Sequence, residues 1–186
     1  MAAPSDWLLR WAPLIRPGGT VLDVACGGGR HLRWLAAQGF RVTGVDRNAA
    51  ALAELAGVAE TVLADLESAP WPEALAGRRF DAVLVTNYLW RPLVPRLLAA
   101  VADDGLYIHE TFADGQQHLG KPSRADFLLQ PGELLALTAG LRTVAFEDGL
   151  LDAPLRRVQR IVAAGAQAPA AKIGDFTLAP PRAASA

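Results

Sequence analysis

The stretch Asp23-Val24-Ala25-Cys26-Gly27-Gly28-Gly29-Arg30 decides the reading of this chain. Three consecutive glycines weaken any helix or strand that contains them, because glycine loses the most backbone freedom on ordering. They stand directly after an apolar run, Val21-Leu22-Asp23-Val24-Ala25. Bare backbone at the end of a buried strand lets main-chain groups approach something closely. A helix pattern follows, with Leu32, Leu35 and Ala36 on one side, and its first turn aims a positive dipole end at the same place. Gly27, Gly28 and Gly29 are therefore expected to wrap a nucleotide-like ligand.

Outward from this turn the pattern alternates. Strands are expected at 20–25, 41–45, 61–64, 80–86 and 106–110, and helices at 5–16, 30–38, 48–55, 91–102 and 132–139. Ser5 and Asn48 suit N-caps, Gly39 and Gly57 suit helix stops, and Pro95 should kink its helix or move the start. Strand–helix alternation means a parallel sheet covered on both faces. The end differs: 142–146 and 157–163 are strand-like with no helix between them, joined by a turn-rich link at 147–155. That predicts an antiparallel hairpin closing one edge, with Arg156, Arg157 and Arg160 on an exposed edge strand, where charge discourages pairing. One domain is expected over 1–164, followed by an Ala/Pro-rich C-terminal tail at 165–186.

The chain has 186 residues, 52% hydrophobic and 20% charged, with a formal net charge of −1. That balance argues against a broad electrostatic footprint for nucleic acid or anionic membrane. The one cysteine, Cys26, forms no internal disulfide, argues against a cysteine metal site, and fits a cytoplasmic setting. The N-terminus lacks a signal-peptide pattern, and no apolar run is long enough to span a membrane.

Two further strands end in acids. Val45-Asp46 closes the second, and Ala64-Asp65-Leu66 the third. Asp46 can accept hydrogen bonds from both ribose hydroxyls, and Asp65 from an exocyclic adenine amine with Leu66 against the ring. A nicotinamide-dependent oxidoreductase shares the glycine turn and the ribose acid. Its fingerprint needs G-x-G-x-x-G, whereas Leu32 stands three places after Gly29. Asp23 would also repel a diphosphate and suits a cationic amine. A third reading is a cofactor-binding module without catalysis that works through a partner.

These residues resemble a known family. Val21 to Gly29 is similar to the first motif of class I S-adenosylmethionine-dependent methyltransferases, acid-x-Gly-x-Gly-x-Gly, with Ala25 at the first glycine. Asp46, with Arg47 beside it, matches the ribose-binding acid, Asp65-Leu66 the adenine-contacting pair, and Phe80 to Leu84 the fourth motif. The resemblance implies an α/β, Rossmann-like, seven-stranded mostly parallel sheet of order 3-2-1-4-5-7-6. It implies helices on both faces, an antiparallel terminal hairpin and S-adenosyl-L-methionine as cofactor. Glu110-Thr111-Phe112, Gly120-Lys121-Pro122, Asp126 to Leu129 and Glu133 to Leu135 resemble small bacterial relatives of tellurite-resistance methyltransferases.

The implied reaction is an in-line displacement at a methyl carbon, transferring it to a small-molecule acceptor. Aligning the acceptor supplies much of the acceleration, roughly 7–11 kcal/mol. A soft anionic acceptor needs no base, whereas a hydroxyl or ammonium does. Thr86, Asn87 and Tyr88 leave the fourth strand beside the expected reacting centre. Asn87 is placed to hold the methionine part or the acceptor, and Tyr88 and Trp90 to face the sulfonium. His109 and Glu110 end the fifth strand as candidate bases, and alternation orients at most one of them well. His31 reads as a capping or packing residue. The polar loop 113–125 is a candidate lid carrying His118, Lys121 and Arg124.

Overall fold

The computed structural model describes residues 2–168. Most of the expected tail, 169–186, lies outside the described residues. Helix α1 (Asp6–Trp11) begins where the Ser5 hydroxyl accepts the Trp7 N–H, and a 3-10 turn at Ala12–Leu14 extends it. The chain then runs through β1 (Thr20–Val24), α2 (Arg30–Ala37), β2 (Arg41–Asp46), α3 (Ala49–Ala53) and β3 (Glu60–Leu63). It continues through β4 (Phe80–Thr86), α4 (Val94–Ala99), β5 (Val101–Phe112), α5 (Glu133–Leu137), β6 (Arg142–Asp152) and β7 (Leu155–Ala164).

The seven strands form one sheet in the order β3-β2-β1-β4-β5-β7-β6, with β7 antiparallel to both neighbours. This is the topology the resemblance implied. Alternation along β4 divides the core: Val83 and Val85 join one layer with Leu97 and Leu134, while Ala82 and Leu84 join the other with Trp7, Leu32 and Leu52. α4 and α5 therefore cover one face, and α1 to α3 the other. Each fully buried Leu or Val in these layers contributes about 1.5–3 kcal/mol. Trp7 and Trp11 meet edge to face at 5.5 Å, and the Trp7 indole N–H donates to the Ile161 carbonyl at 3.2 Å.

Four differences from the sequence reading stand out. Pro95 moves the start of the helix after β4: a 3-10 turn at Arg91–Leu93 precedes α4. β5 begins at Val101, because a bulge lets Val101 pair with Phe80 before the register resumes at Leu106. The terminal hairpin is far longer than expected, and the supposed link at 147–155 is mostly strand. Glu147 faces Arg160 across it, with Arg160 Nε 2.8 Å from Glu147 Oε2, and Asp148 reaches diagonally to Arg157, whose Nη2 lies 2.9 Å from Asp148 Oδ1. Cross-strand ion pairs thus hold a segment whose polarity reads as a turn. β7 is also interior to the sheet, so Arg156, Arg157 and Arg160 are not edge residues; β6 is the edge. Residues 165–168 continue against β5, with Gly165 N–H donating to Gly105 O and Gln167 N–H to Asp103 O.

Candidate functional site

The carboxyl ends of β1, β2, β3 and β4 open onto two adjoining cavities that share Ala25. The first, about 200 Å³, is walled by Asp46, Arg47, Asp65, Leu66, Glu67 and Tyr88. The second, about 500 Å³, is walled by Cys26, Gly27, Gly28, Arg30, His31, Thr86 and Asn87, with Ala2 at its rim. Ala25 and Asn87, the residues that leave β1 and β4, both hold φ 54°. These are the only non-glycine residues with positive φ among the described residues. A bent-back exit from each central strand separates the two chains and opens the crevice between them.

The glycine turn is built by packing as well as by ligand access. A Cβ on Gly29 would collide with Leu55, and one on Gly44 would lie 2.8 Å from Cys26 Sγ. Nothing lies within 4 Å of a Cβ placed on Gly27 or Gly28. Two of the three glycine N–H groups are already used: Gly27 donates to Asp46 Oδ2 at 2.7 Å, and Gly29 to the Cys26 carbonyl at 2.9 Å. Gly28 N–H has no partner among the described residues, so one amide of the turn, rather than three, faces the cavity unpaired. The Cys26 thiol is buried and pushed up to about 12 by burial and by Asp23 and Asp46, which leaves it protonated and inert.

Each acid has a distinct setting. Asp46 Oδ1 accepts the Asn48 N–H at 2.8 Å, so its carboxylate ties the glycine turn to the start of α3. Each oxygen keeps a second lone pair for a ligand hydroxyl. Asp65 accepts from Ser68 Oγ at 2.7 Å and from Glu67 N–H at 3.0 Å, and these bonds hold its carboxyl below the usual range. Asp23 is buried under the turn, and burial raises its carboxyl although His31 opposes this. Its Oδ2 lies 3.6 Å from His31 Nδ1, which is also 3.4 Å from Thr86 Oγ1.

The residues expected on the acceptor side separate. Asn87 lies at the mouth of the larger cavity, and its N–H donates to the Glu110 carbonyl at 2.9 Å. Tyr88 points the other way, into the wall of the smaller cavity beside Asp65 and Arg47; its buried hydroxyl has no hydrogen-bond partner among the described residues. His109 is buried, with Nε2 donating to the Tyr88 carbonyl at 3.0 Å and Nδ1 accepting the Tyr107 hydroxyl at 2.9 Å. Burial lowers its pKa to about 4. With both ring nitrogens engaged, His109 is placed to hold the backbone at Tyr88, not to take a proton from an acceptor. Glu110 is also buried, with Ser5 Oγ donating at 3.2 Å and Arg156 and Arg160 each 3.4 Å away. Arg156 Nη1 reaches Asn87 Oδ1 at 3.5 Å.

Sequence reading missed Arg156 and Ser5 as neighbours of Glu110, since they come from opposite ends of the chain. It also set His31 aside as packing, although its place two residues after the glycine turn was the available signal. The loop 113–125 lines neither cavity. Gln116 anchors its base by accepting the Arg157 N–H at 2.8 Å and donating to the Lys121 carbonyl at 3.2 Å. Arg91 clamps the following segment through Glu133 and the carbonyls of Asp126 and Leu128.

A family model described as a methyltransferase domain matches residues 21–103. No curated protein matches the chain by sequence. TehB from Haemophilus influenzae has a similar structure, with TM-score 0.72 and 18% identity over 89% of this chain and 63% of that one. A TehB-like SAM-dependent methyltransferase from Corynebacterium glutamicum aligns with TM-score 0.61 and 18% identity, over 86% of each chain. Magnesium protoporphyrin IX methyltransferase from Synechocystis, solved with bound SAH, aligns with TM-score 0.64 and 17% identity, over 86% of this chain and 78% of that one. At these identities the structural likenesses establish the fold.

Proposed function

We propose that this chain is a class I S-adenosylmethionine-dependent methyltransferase, a reading its matched domain and its fold support, and that it transfers the methyl group to a small-molecule acceptor in the cytoplasm. The catalytic unit is the segment 1–164. The observation that carries the site assignment is the pair of cavities meeting at Ala25, with Asp46 and Asp65 around one and Asp23 beneath the other. A nucleoside fits the smaller cavity: Asp46 receives the ribose hydroxyls, Asp65 the adenine amine, and Leu66 and Tyr88 flank the ring. Ala25, Gly27, Gly28 and Thr86 line the path of the methionine part, whose ammonium is complemented by Asp23. Gly29 shapes the turn and Arg47 borders the nucleoside. The bound cofactor supplies an activated methyl group. A buried carboxylate beneath the turn disfavours the diphosphate of a nicotinamide dinucleotide.

Asn87 holds the acceptor end. Neither His109 nor Glu110 is free to act as a base, since every polar atom of both is engaged within the protein. An acceptor that arrives already ionised, as a soft anion, needs neither of them, and Asn87 and Arg156 are placed to orient it. Glu110 positions Arg156. Calorimetric titration with S-adenosylhomocysteine and with nicotinamide dinucleotides tests the cofactor; tight binding of a dinucleotide alone would refute it. With that established, Asn87→Ala should reduce turnover of a thiol or oxyanion acceptor more than cofactor affinity. Equal turnover by both proteins would remove Asn87 from the site.

A further inference from the structure

Two buried polar atoms have no hydrogen-bond partner among the described residues, Nε2 of His31, which lines the larger cavity, and Oδ2 of Asp23, which lies beside that ring. Asp23 is 1% exposed and His31 2%. A carboxylate so far from water requires a positive charge or a proton beside it. The imidazole is the group in place to provide it, with Nδ1 3.6 Å from Oδ2. Three other charged groups surround the pair: Arg30 favours and Asp46 disfavours the Asp23 carboxylate through space, and Glu54 lines the same cavity as His31. Arg30, next on α2, donates to the Ala3 carbonyl at 3.3 Å. Asp46 on β2 is committed to Gly27 and Asn48, and the Cys26 thiol stays neutral. Thr86 on β4 offers Nδ1 a neutral hydroxyl.

An ammonium brought to Asp23 changes this balance. The carboxylate would then face two positive charges in a site that has room for one. His31 is also the second residue of α2, where the positive end of the helix dipole disfavours an imidazolium. We infer that His31 is a positioning residue for the amino-acid end of the cofactor: the Asp23–His31 pair keeps one proton until the cofactor ammonium arrives, then releases it to solvent. Charge is conserved in the exchange, one cation leaving as another enters. The neutral ring, held by Thr86, then presents Nε2 to the cavity. This inference rests on the cofactor reading above.

Calorimetry on the full chain tests it. S-adenosylhomocysteine is titrated at several pH values between about 5.5 and 8.5, in two buffers with different ionisation enthalpies. The expected result is release approaching one proton per site in the acid part of that range. Affinity should rise about tenfold per pH unit there and then level off. His31→Asn should remove both effects. Binding with the same heat in both buffers throughout overturns the inference and leaves the cofactor assignment standing; absence of binding at every pH overturns both. Should His31→Asn fail to fold, the wild-type ring decides by its own proton resonance titration. A midpoint lowered by about one unit or more with ligand supports the exchange, and an unmoved midpoint refutes it.

Discussion

The two ends of the crevice treat their polar groups differently. At the end proposed to take the nucleoside and the methionine part, Gly28 N–H, Asp23 Oδ2, His31 Nε2 and the Tyr88 hydroxyl have no hydrogen-bond partners among the described residues. At the other end, Glu110, Arg156, Arg160 and Glu147 form a continuous chain of charges on β5, β6 and β7, closed by Ser5 from the N-terminus; Nε of Arg156 and Nε of Arg10 lack a partner among the described residues, but each of these guanidinium groups is ion-paired through another nitrogen. A group left unpartnered in a buried place lowers stability, so it persists where a ligand completes it. A charge chain does the reverse: it fixes neighbouring strands and leaves little capacity for chemistry. On the proposed reading, one end keeps groups for a ligand to complete, and the other is a scaffold that holds Asn87 and Arg156.

Opposite substitutions should expose that contrast. Glu110→Gln removes the shared anion from beneath two arginines. Breaking a buried ion pair by deleting one partner costs about 3–5 kcal/mol. The lower part of that range applies, because Arg160 keeps Glu147 and both arginines retain some solvent contact. Thermal denaturation should show a loss of about 6–12 °C, while affinity for S-adenosylhomocysteine stays near wild type. An unchanged melting temperature would show that the charge chain holds nothing together.

His109 sharpens the scaffold side of the comparison. Its folded-state pKa is about 4 because burial disfavours the imidazolium, against about 6.5 in an unfolded chain. Between those values the unfolded state binds the extra proton. The contribution is therefore intact above about pH 6.5, falls as pH drops, and is fully lost below about 4, amounting to roughly 3 kcal/mol. Denaturant unfolding of wild type and His109→Gln at several pH values measures it. The stability difference between the two should narrow as pH falls; a constant difference contradicts a buried neutral ring.

The ligand side should respond the other way. Asp46→Ala should weaken S-adenosylhomocysteine by about 1–3 kcal/mol, by loss of charged hydrogen bonds to ribose. Stability should change less, although Gly27 and Asn48 each lose an acceptor. Unchanged affinity by calorimetry would remove the ribose assignment.

What was legible in the sequence divides along the same line. Asp23, the glycines, Asp46 and Asp65-Leu66 are short, local signals at successive strand ends, and strand–helix alternation places strand ends together. The order of the sheet came from the family resemblance that those motifs carry. The scaffold end was opaque because its partners are remote in sequence: Ser5 meets Glu110, and Arg156 meets Asn87. Its charged strands looked like a turn and an edge, since cross-strand pairing of Arg160 with Glu147 leaves no periodic apolar trace. Tyr88 was expected at the sulfonium because it follows Asn87, but the backbone turns at Asn87, which has positive φ, and the Tyr88 ring lines the smaller cavity with Asp65 and Leu66.

The smallest expected effect concerns Ala25, the single departure from the family's glycine pattern. An alanine in the left-handed region costs roughly 1–2 kcal/mol relative to right-handed backbone, while glycine there would lose about 0.5–1 kcal/mol more chain entropy on folding. Ala25→Gly should therefore raise stability by about 1 kcal/mol or less, a gain of about 2–4 °C at most. Ala25 is also the residue the two cavities share, so relief of strain there loosens the wall between them. Affinity for S-adenosylhomocysteine should stay equal or fall slightly as the turn gains freedom. A variant both less stable and much weaker in binding would mean that the alanine methyl packs against something, and that the turn is held by contact instead of by backbone geometry.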